Sequence, residues 1–337
     1  MQRASVHNGR MRHAILGSGG VGGVLGASLA KVGEAVTMVV RASGLAQFPG
    51  ELQLESPLVG NFSAPVEKLA LVPSTDVLWI AVKATQLESA LSSVPGAAQI
   101  GAVVPLQNGI DHVARLRERF GDDRVIAATI AGEMERIAPG RMVHPSPFLM
   151  LNVASSGREL LGGVAEKLDT LHWSCRFVDD EATLLWIKLV FLGPFALATS
   201  AAGVPIGGVL NDAHWRQQLE NCVREFCAVG MAEGAQINVD KVLAAFSIVP
   251  KEMRSSMQKD VDRGNPPELE AIGGPVVRGG ERHGIPVPVT RGLMEAVQAR
   301  TQEERKTSLN RRKEINAIDE RISEPPDRTM NRRRKRI

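Results

Sequence analysis

Residues Ile15-Leu16-Gly17-Ser18-Gly19-Gly20-Val21-Gly22 form a glycine-rich motif near the start of the chain. Its glycines have the spacing G-x-G-x-x-G and follow directly on a short apolar run. In such a motif the first glycine allows a tight turn, the second lets a diphosphate approach the backbone, and the third lets a helix pack on a strand. The N–H groups at the start of that helix also attract phosphates. We therefore predict that residues 17–22 bind a dinucleotide; the alternative is a glycine-rich turn without a ligand.

Short apolar runs and helical segments alternate on both sides of this motif. We predict a helix at 20–31 and strands at 13–16, 35–40, 76–82, 102–106 and 124–130, with further strand structure, antiparallel at the sheet edge, at 141–153. Unbroken apolar runs of this length are typical of parallel strands that are buried on both faces. Beyond residue 180 the pattern is helical, at 181–202, 212–234, 240–262, 267–283 and 288–306.

These patterns predict the α/β fold class, with an N-terminal Rossmann-type parallel sheet domain followed by an all-helical C-terminal domain. The acids Asp179 and Asp180 suit the start of the first long helix, because a helix N-terminus favours negative charge. We expect four segments along the chain. They are a disordered leader at 1–12, the sheet domain at 13–175, the helical domain at 176–306 and a basic C-terminal tail at 307–337.

The charge of the chain is unevenly distributed. The 40 Lys+Arg and 37 Asp+Glu give a formal net charge of +3. Residues 305–337 contain twelve of the basic and five of the acidic residues, so they contribute +7 and residues 1–304 contribute −4. The basic balance therefore belongs to the tail, which is either simply solvated or binds an anionic surface. Aromatic residues are only 4% of the chain, too few for a stacking surface, so nucleic acid is not an expected partner.

Two apolar segments resemble membrane signals. Residues 14–30 contain six glycines, unlike a signal peptide, and residues 189–210 contain four glycines and two prolines, unlike a membrane span. We therefore expect a cytoplasmic protein that has no membrane partner. Cys175, Cys222 and Cys227 match no zinc or disulfide spacing, so we predict buried thiols and no metal site.

The end of the second predicted strand indicates which dinucleotide binds. Proteins that bind NAD usually place an acid there for the ribose 2′-hydroxyl. In this chain the strand ends at Arg41, and the next acid is Glu51. A guanidinium forms charge-assisted hydrogen bonds with phosphate, so we predict NADP (NADPH) as the cofactor; the alternative is a solvated arginine at a strand end.

Five further motifs follow Arg41 in a fixed order. They are Ala81-Val82-Lys83-Ala84-Thr85-Gln86; Leu106-Gln107-Asn108-Gly109-Ile110; Leu185-Trp186-Ile187-Lys188-Leu189; Ser255-Ser256-Met257-Gln258-Lys259-Asp260 with Pro267-Glu268-Leu269-Glu270 and Gly274; and His283-Gly284-Ile285-Pro286-Val287-Pro288. With the glycine motif and Arg41, they make residues 12–300 resemble the ketopantoate reductase (2-dehydropantoate 2-reductase) family. The resemblance implies that NADPH reduces a 2-keto acid to a 2-hydroxy acid.

That reaction needs a group that delivers a proton to the carbonyl oxygen. The chain contains no tyrosine, so Lys, His or a carboxylic acid must do this. Lys188 interrupts the apolar segment 184–210, and burial would lower its pKa toward neutrality. The alternative is a lysine at a helix surface with its ammonium in water. The resemblance implies that Lys188 is the general acid.

The resemblance also implies roles for four other residues. Glu268 corresponds to the family's acidic partner, which binds a substrate hydroxyl, and Ser256 to a residue that hydrogen-bonds the substrate. Without the resemblance, Glu268 would be an acid at a helix start, and Glu270 competes for its role. Lys83 and Asn108 each follow a predicted strand, where ligands of open α/β sheets bind. The resemblance implies that Lys83 contacts cofactor or substrate and that Asn108 contacts the nicotinamide ribose and substrate.

The chain departs from the family where asparagines hold the substrate in members that make pantothenate. Leu192 and Ala196 stand at those positions, and Gly273-Gly274 replaces a frequent Asn-Gly. We predict an enzyme that reduces a 2-keto acid, with 2-dehydropantoate as the default substrate. The alternatives are a more apolar 2-keto acid, or a non-enzymatic sensor that binds NADP. A homodimer is compatible with these expectations.

Overall fold

The computed structural model describes residues 10–323, with side chains up to residue 307. Residues 1–9 of the predicted leader and 324–337 of the predicted tail lie outside the described residues. Residues 10–12, assigned to the leader, are part of the fold instead. The Met11 N–H donates to Glu34 Oε2 at 2.8 Å, and Arg12 begins the first strand.

The first part of the chain contains twelve strands and four helices. They are β1 Arg12–Leu16, α1 Gly20–Lys31, β2 Ala35–Val39, β3 Glu51–Glu55, β4 Phe62–Pro65, β5 Glu67–Leu69, β6 Thr75–Ile80, α2 Leu87–Leu91, β7 Ile100–Pro105, α3 His112–Phe120, β8 Ala128–Ala131, β9 Glu135–Ala138, β10 Arg141–Val143, β11 Met150–Ala154, α4 Arg158–Asp169 and β12 Ser174–Val178. Five strands form a parallel sheet in the order β5-β2-β1-β6-β7. The carboxyl ends of β2, β1, β6 and β7 therefore share one edge of this sheet, where ligands of such folds bind.

Two smaller sheets complete this part, in the orders β4-β3-β10-β9 and β12-β11-β8. The strand structure predicted at 141–153 is present as β10 and β11, but the two strands belong to different sheets, and each has one parallel and one antiparallel neighbour. The segment between them contains Pro145 and Pro147, which lack the N–H that a strand needs. The predicted division at 175/176 falls inside β12, and all the register partners of β12 lie in β11.

The described residues of the second part form only helices and the loops between them. Its helices are α5 Glu181–Ala202, α6 Ile206–Asn211, α7 Ala213–Ala232, α8 Val239–Ala245, α9 Ser256–Asp262, α10 Leu269–Ile272, α11 Gly274–His283 and α12 Pro288–Ser323. The fold class is as predicted, but two of the helical segments are broken. The segment 240–262 is interrupted around Pro250, and 267–283 is divided at Gly273. The last helix continues past 306 into the segment assigned to the tail.

Helix α5 joins the two parts and begins as predicted, because the Asp180 side chain accepts from the Thr183 N–H at 3.2 Å. It is the one helix among the described residues that is long and apolar enough to span a membrane. However, 67% of its most apolar window is buried inside the protein, and it packs against α7, α9 and α12. Its composition is therefore that of a core helix.

Candidate active site

The glycine motif forms the turn between β1 and α1. Gly17 has φ +118°, and a Cβ there would lie 2.7 Å from the Ala81 carbonyl carbon at the end of β6. A Cβ on Gly22 would lie 2.0 Å from the Gly17 carbonyl oxygen. These two glycines are required because the turn, the helix and the neighbouring strand approach one another closely.

Gly19 differs from them, because a Cβ added there would meet no atom of the described residues within 4 Å. Its φ of −77° is available to any residue. Neither packing nor backbone conformation therefore requires a glycine here. The open space lies at the N-terminus of α1, where Gly19 has no side chain that could cap the helix, no side chain of residues 10–307 caps it, and the first turn has no acid. This arrangement fits a phosphate-bearing ligand that approaches the backbone at Gly19.

Arg41 lies just beyond the end of β2, beside the glycine turn on β1. Its side chain is exposed, and no carboxylate among the described residues forms an ion pair with it. The guanidinium is therefore available to an anionic ligand at this edge of the sheet.

Lys83 lies near the end of β6, the neighbour of β1 on the other side. Its Nζ lies 2.5 Å from Asp260 Oδ2 on α9, and the Lys83 side chain is 43% exposed. The ion pair links the carboxyl edge of the sheet to the helical part.

Asn108, Lys188 and Glu268 form a continuous chain of hydrogen bonds. The Lys188 ammonium on α5 donates to Asn108 Oδ1, after β7, at 3.0 Å. The Asn108 amide donates to Glu268 Oε2 at 3.4 Å. The other Glu268 oxygen accepts from the Ala84 N–H at 2.8 Å. Three predicted site residues, from three distant segments, thus lie together at the carboxyl edge of β6 and β7.

The ionisable groups around this chain are shifted by burial. Burial lowers the pKa of the Lys188 ammonium from 10.5 to about 8, against the opposing charge of Glu268. Burial and the charge of Lys188 lower the pKa of His112 to about 3. Lys188 therefore holds a proton that it can release near neutral pH, while His112 stays uncharged beside it.

The other predicted residues occupy different positions. Ser256 is the first residue of α9 and is exposed, and its side chain forms no hydrogen bond with another described residue. It lies one helical turn before Asp260, so both share the face that reaches Lys83. Glu270 pairs with Arg278 and is largely exposed, whereas Glu268 is only 8% exposed. Glu268 is thus the acid that reaches the chain of hydrogen bonds.

Two residues at the site had no predicted role. Asp260 belongs to the motif that begins at Ser255, but only the fold brings it to Lys83. His112 follows Asn108 by four residues and is buried, and its Nε2 has no partner among the described residues. A histidine so close to a strand-end asparagine was the available signal in the sequence.

The wall beyond Lys188 is apolar. Leu192 follows Lys188 by one turn of α5 and is half-buried, and Ala196 follows by two turns and is 1% exposed. Neither side chain offers a hydrogen bond, but only the half-buried Leu192 is accessible to an apolar part of a ligand, because Ala196 is packed in the core of the helical part.

Comparison with known proteins gives matches over both parts of the chain. Residues 13–150 match the family "Ketopantoate reductase PanE/ApbA", and residues 182–301 match its C-terminal family. A 2-dehydropantoate 2-reductase of Caulobacter vibrioides is 30% identical over 296 residues, which are 85% of this chain and 98% of that protein.

Solved structures share the fold. A PanE/ApbA family ketopantoate reductase from Ralstonia eutropha aligns with a TM-score of 0.77 and 24% identity, covering 87% of this chain and 99% of the other. D-mandelate dehydrogenase in a ternary structure with NADH and anilino(oxo)acetate aligns with a TM-score of 0.76 and 21% identity, covering 87% and 99%. The α/β sheet and the helical part together are thus a known arrangement.

Proposed function

Because the chain belongs to the ketopantoate reductase family of oxidoreductases, we propose that it uses NADPH to reduce a 2-keto acid to the 2-hydroxy acid, with 2-dehydropantoate as the default substrate. The observation that carries this proposal is the hydrogen-bonded chain of Lys188, Asn108 and Glu268. It lies at the same sheet edge as the glycine turn, so the proposed proton donor and the proposed dinucleotide site share one edge of the sheet. A nicotinamide cofactor bound there supplies the hydride for the carbonyl carbon.

The residues around the glycine turn would bind that cofactor. The free N–H groups at the start of α1 would hold the diphosphate, and the open space at Gly19 admits it. Arg41 would hold a ribose 2′-phosphate, and this favours NADPH over NADH. D-mandelate dehydrogenase, which shares the fold, has a solved structure with NADH. NADH is therefore the alternative cofactor to be compared with NADPH.

Lys188 would donate the proton to the carbonyl oxygen. With a pKa of about 8 it is mostly protonated at neutral pH and is still a good donor. Asn108 positions the ammonium by accepting one of its hydrogens, which leaves two for the substrate oxygen. Glu268, fixed by the Ala84 N–H, would accept from a substrate hydroxyl, and Ser256 would hydrogen-bond the substrate from α9.

The test is to follow NADPH oxidation with 2-dehydropantoate in the wild type and in Lys188→Ala. Loss of a general acid lowers the rate by about 10²- to 10⁴-fold, and we expect a loss in this range. Lys241→Ala, which removes an exposed lysine on α8, is the matched control and should keep wild-type activity. Full activity of Lys188→Ala would refute the assigned proton donor.

A second candidate is the same reaction on a 2-keto acid with an apolar side chain. The apolar surface at Leu192 favours it, because a polar group left unpaired there costs about 1–3 kcal/mol. A panel of 2-keto acids with alkyl or aryl side chains, run beside 2-dehydropantoate with NADPH and with NADH, separates the two candidates. A higher kcat/KM for 2-dehydropantoate than for every other member would reject the apolar substrate.

A further inference from the structure

We propose that Lys259 on α9 binds the diphosphate of the cofactor, and that Glu133 holds Lys259 ready over the glycine turn. This inference rests on the proposed function, because it takes the turn to be a nicotinamide dinucleotide site. It adds a ligand that comes from the helical part of the chain.

Glu133 lies in a loop that rests on the first turn of α1. A Cβ on Gly20 would lie 2.2 Å from the carbonyl oxygen of Met134, so the loop touches the helix beside the glycine turn. The loop is held in place because the Glu133 N–H donates to Ser146 Oγ at 2.9 Å. Ser146 in turn lies 2.8 Å from Nε2 of the fully buried His144. Glu133 is therefore placed at the rim of the predicted phosphate site.

Helix α9 crosses the mouth of the same site. Lys259 forms an ion pair with Glu133, and the next residue, Asp260, pairs with Lys83 at the end of β6. Lys83 and Glu133 lie on two sides of the glycine turn. Since consecutive residues of one helix reach both, α9 passes over the turn and brings the Lys259 ammonium near the start of α1.

The charges at this rim explain why a lysine is needed. An unpaired Glu133 carboxylate would repel a diphosphate, since two like charges a few ångströms apart repel strongly near a protein surface. Lys259 neutralises that carboxylate. The Lys259 side chain is 30% exposed and has three donors on a flexible stem, so it can reach a phosphate oxygen as well. A diphosphate attracts the ammonium more strongly than one carboxylate does.

The same helix provides a matched control. Arg263, the residue directly after α9, pairs with Glu135 at 3.1 Å, and the two side chains are 62% and 46% exposed. This pair joins the end of α9 to the start of β9, so it also links the helical part to the sheet part. If removing any ion pair between the two parts weakened cofactor binding, variants of the two pairs would show equal changes in Kd.

The experiment measures the Kd of the full-length protein for NADPH and for ADP-ribose by fluorescence titration. ADP-ribose contains the diphosphate but neither the nicotinamide nor the 2′-phosphate. Lys259→Met should raise both Kd values by about 10- to 100-fold, the effect of one charge-assisted hydrogen bond. Arg263→Met should leave both within about 2-fold of wild type.

Glu133→Gln tests the inference in the opposite direction. It removes the repulsive charge and releases Lys259, so both ligands should bind more tightly than to wild type. Misfolding cannot produce tighter binding, so this variant keeps the test decisive even if Lys259→Met is unstable. Weaker binding by Glu133→Gln, or equal binding by Lys259→Met and Arg263→Met, would overturn the role of Lys259. Failure of the wild type to bind NADPH or NADH would overturn the proposed function and this inference together.

Discussion

At the scale of single residues, the site is characterised by a lysine whose proton is weakly held. The Lys188 ammonium has a hydrogen-bond acceptor, Asn108, but its surroundings disfavour charge, and burial lowers its pKa to about 8. A donor with this pKa is protonated below pH 8 and neutral above it. Reduction requires the protonated form, and the reverse oxidation requires the neutral form.

We predict that kcat/KM for reduction is constant below pH 8 and falls about tenfold for each pH unit above it. For oxidation of the 2-hydroxy acid, kcat/KM should show the opposite pH dependence and rise with pH up to about pH 8. Rates measured in both directions across this pH range provide the check. Asn108→Leu should lower kcat and shift the pH at which the reduction rate begins to fall, because the Lys188 ammonium loses its hydrogen-bond acceptor. A reduction rate that is unchanged up to pH 10 would contradict the role of Lys188 as the proton donor.

Arg41 is expected to determine the choice between the two nicotinamide cofactors. Arg41→Ala should raise the Kd for NADPH by about 10- to 100-fold, since it removes charge-assisted hydrogen bonds to the 2′-phosphate. The Kd for NADH, which lacks that phosphate, should change by less than about 3-fold. Titration of both cofactors measures the difference. Equal losses for NADPH and NADH would place Arg41 elsewhere in the site.

The residues that meet at the site are far apart in the chain, and this limits what the sequence could predict. The Lys188 and Asn108 side chains are separated by 80 positions, and no spacing rule joins them. The glycine turn is different, because its residues are contiguous and its geometry is local. The local part was therefore predictable from physics, whereas the roles of Asn108, Lys188 and Glu268 rested on a resemblance.

At the scale of secondary structure elements, the strands of the central sheet were easier to predict than those of the smaller sheets. Buried parallel strands such as β6 and β7 are continuous apolar runs, and both were found within a few residues. β3 has the alternating sequence Glu51-Leu52-Gln53-Leu54-Glu55, with the two leucines buried. A search for unbroken apolar runs does not predict β3, because alternation indicates a strand with one exposed face.

The N-terminus of α12 depends on a carboxylate from another helix. Glu225 on α7 accepts from the Val289 N–H at 2.9 Å and from the Thr290 N–H at 2.7 Å, so it caps two free donors of α12. We predict that Glu225→Ala lowers the free energy of unfolding by about 1–3 kcal/mol, because these donors are left unpaired. Denaturant unfolding measures the loss.

Glu220→Ala is the control on the same helix, since its side chain forms no hydrogen bond with another described residue. It should change the unfolding midpoint by less than Glu225→Ala does. Equal effects of the two substitutions would mean that α12 does not depend on this cap.

At the scale of the whole molecule, two apolar cores meet within one helix. Leu184 belongs to the core of the sheet part, and Trp186 to the core of the helical part. Only Asp179 and Asp180 separate β12 from α5, so the joint is short. The helical part is thus fixed near α5, and the ion pairs of α9 with Lys83 and Glu133 also tie it to the sheet part. The site lies between these two attachments.

The charge distribution of the whole chain leads to the last prediction. Residues 324–337 contain six basic and two acidic residues, so a chain ending at Ser323 has a net charge of −1 instead of +3. NADPH is an anion, and its association with the truncated chain should be slower at low salt, by up to about 10-fold. The difference should vanish near 1 M salt, where the Debye length is about 3 Å. The dissociation rate should not change, because long-range charge acts mainly on association.

Stopped-flow measurement of NADPH binding at several salt concentrations tests this. The matched control keeps the full length and replaces Arg332, Arg333, Arg334 and Lys335 by Gln, which also gives a net charge of −1. If the tail acts only through its charge, both variants show the same salt-dependent loss. A loss that persists at high salt, or a faster dissociation in the truncated chain alone, would mean that the tail contacts the ligand directly.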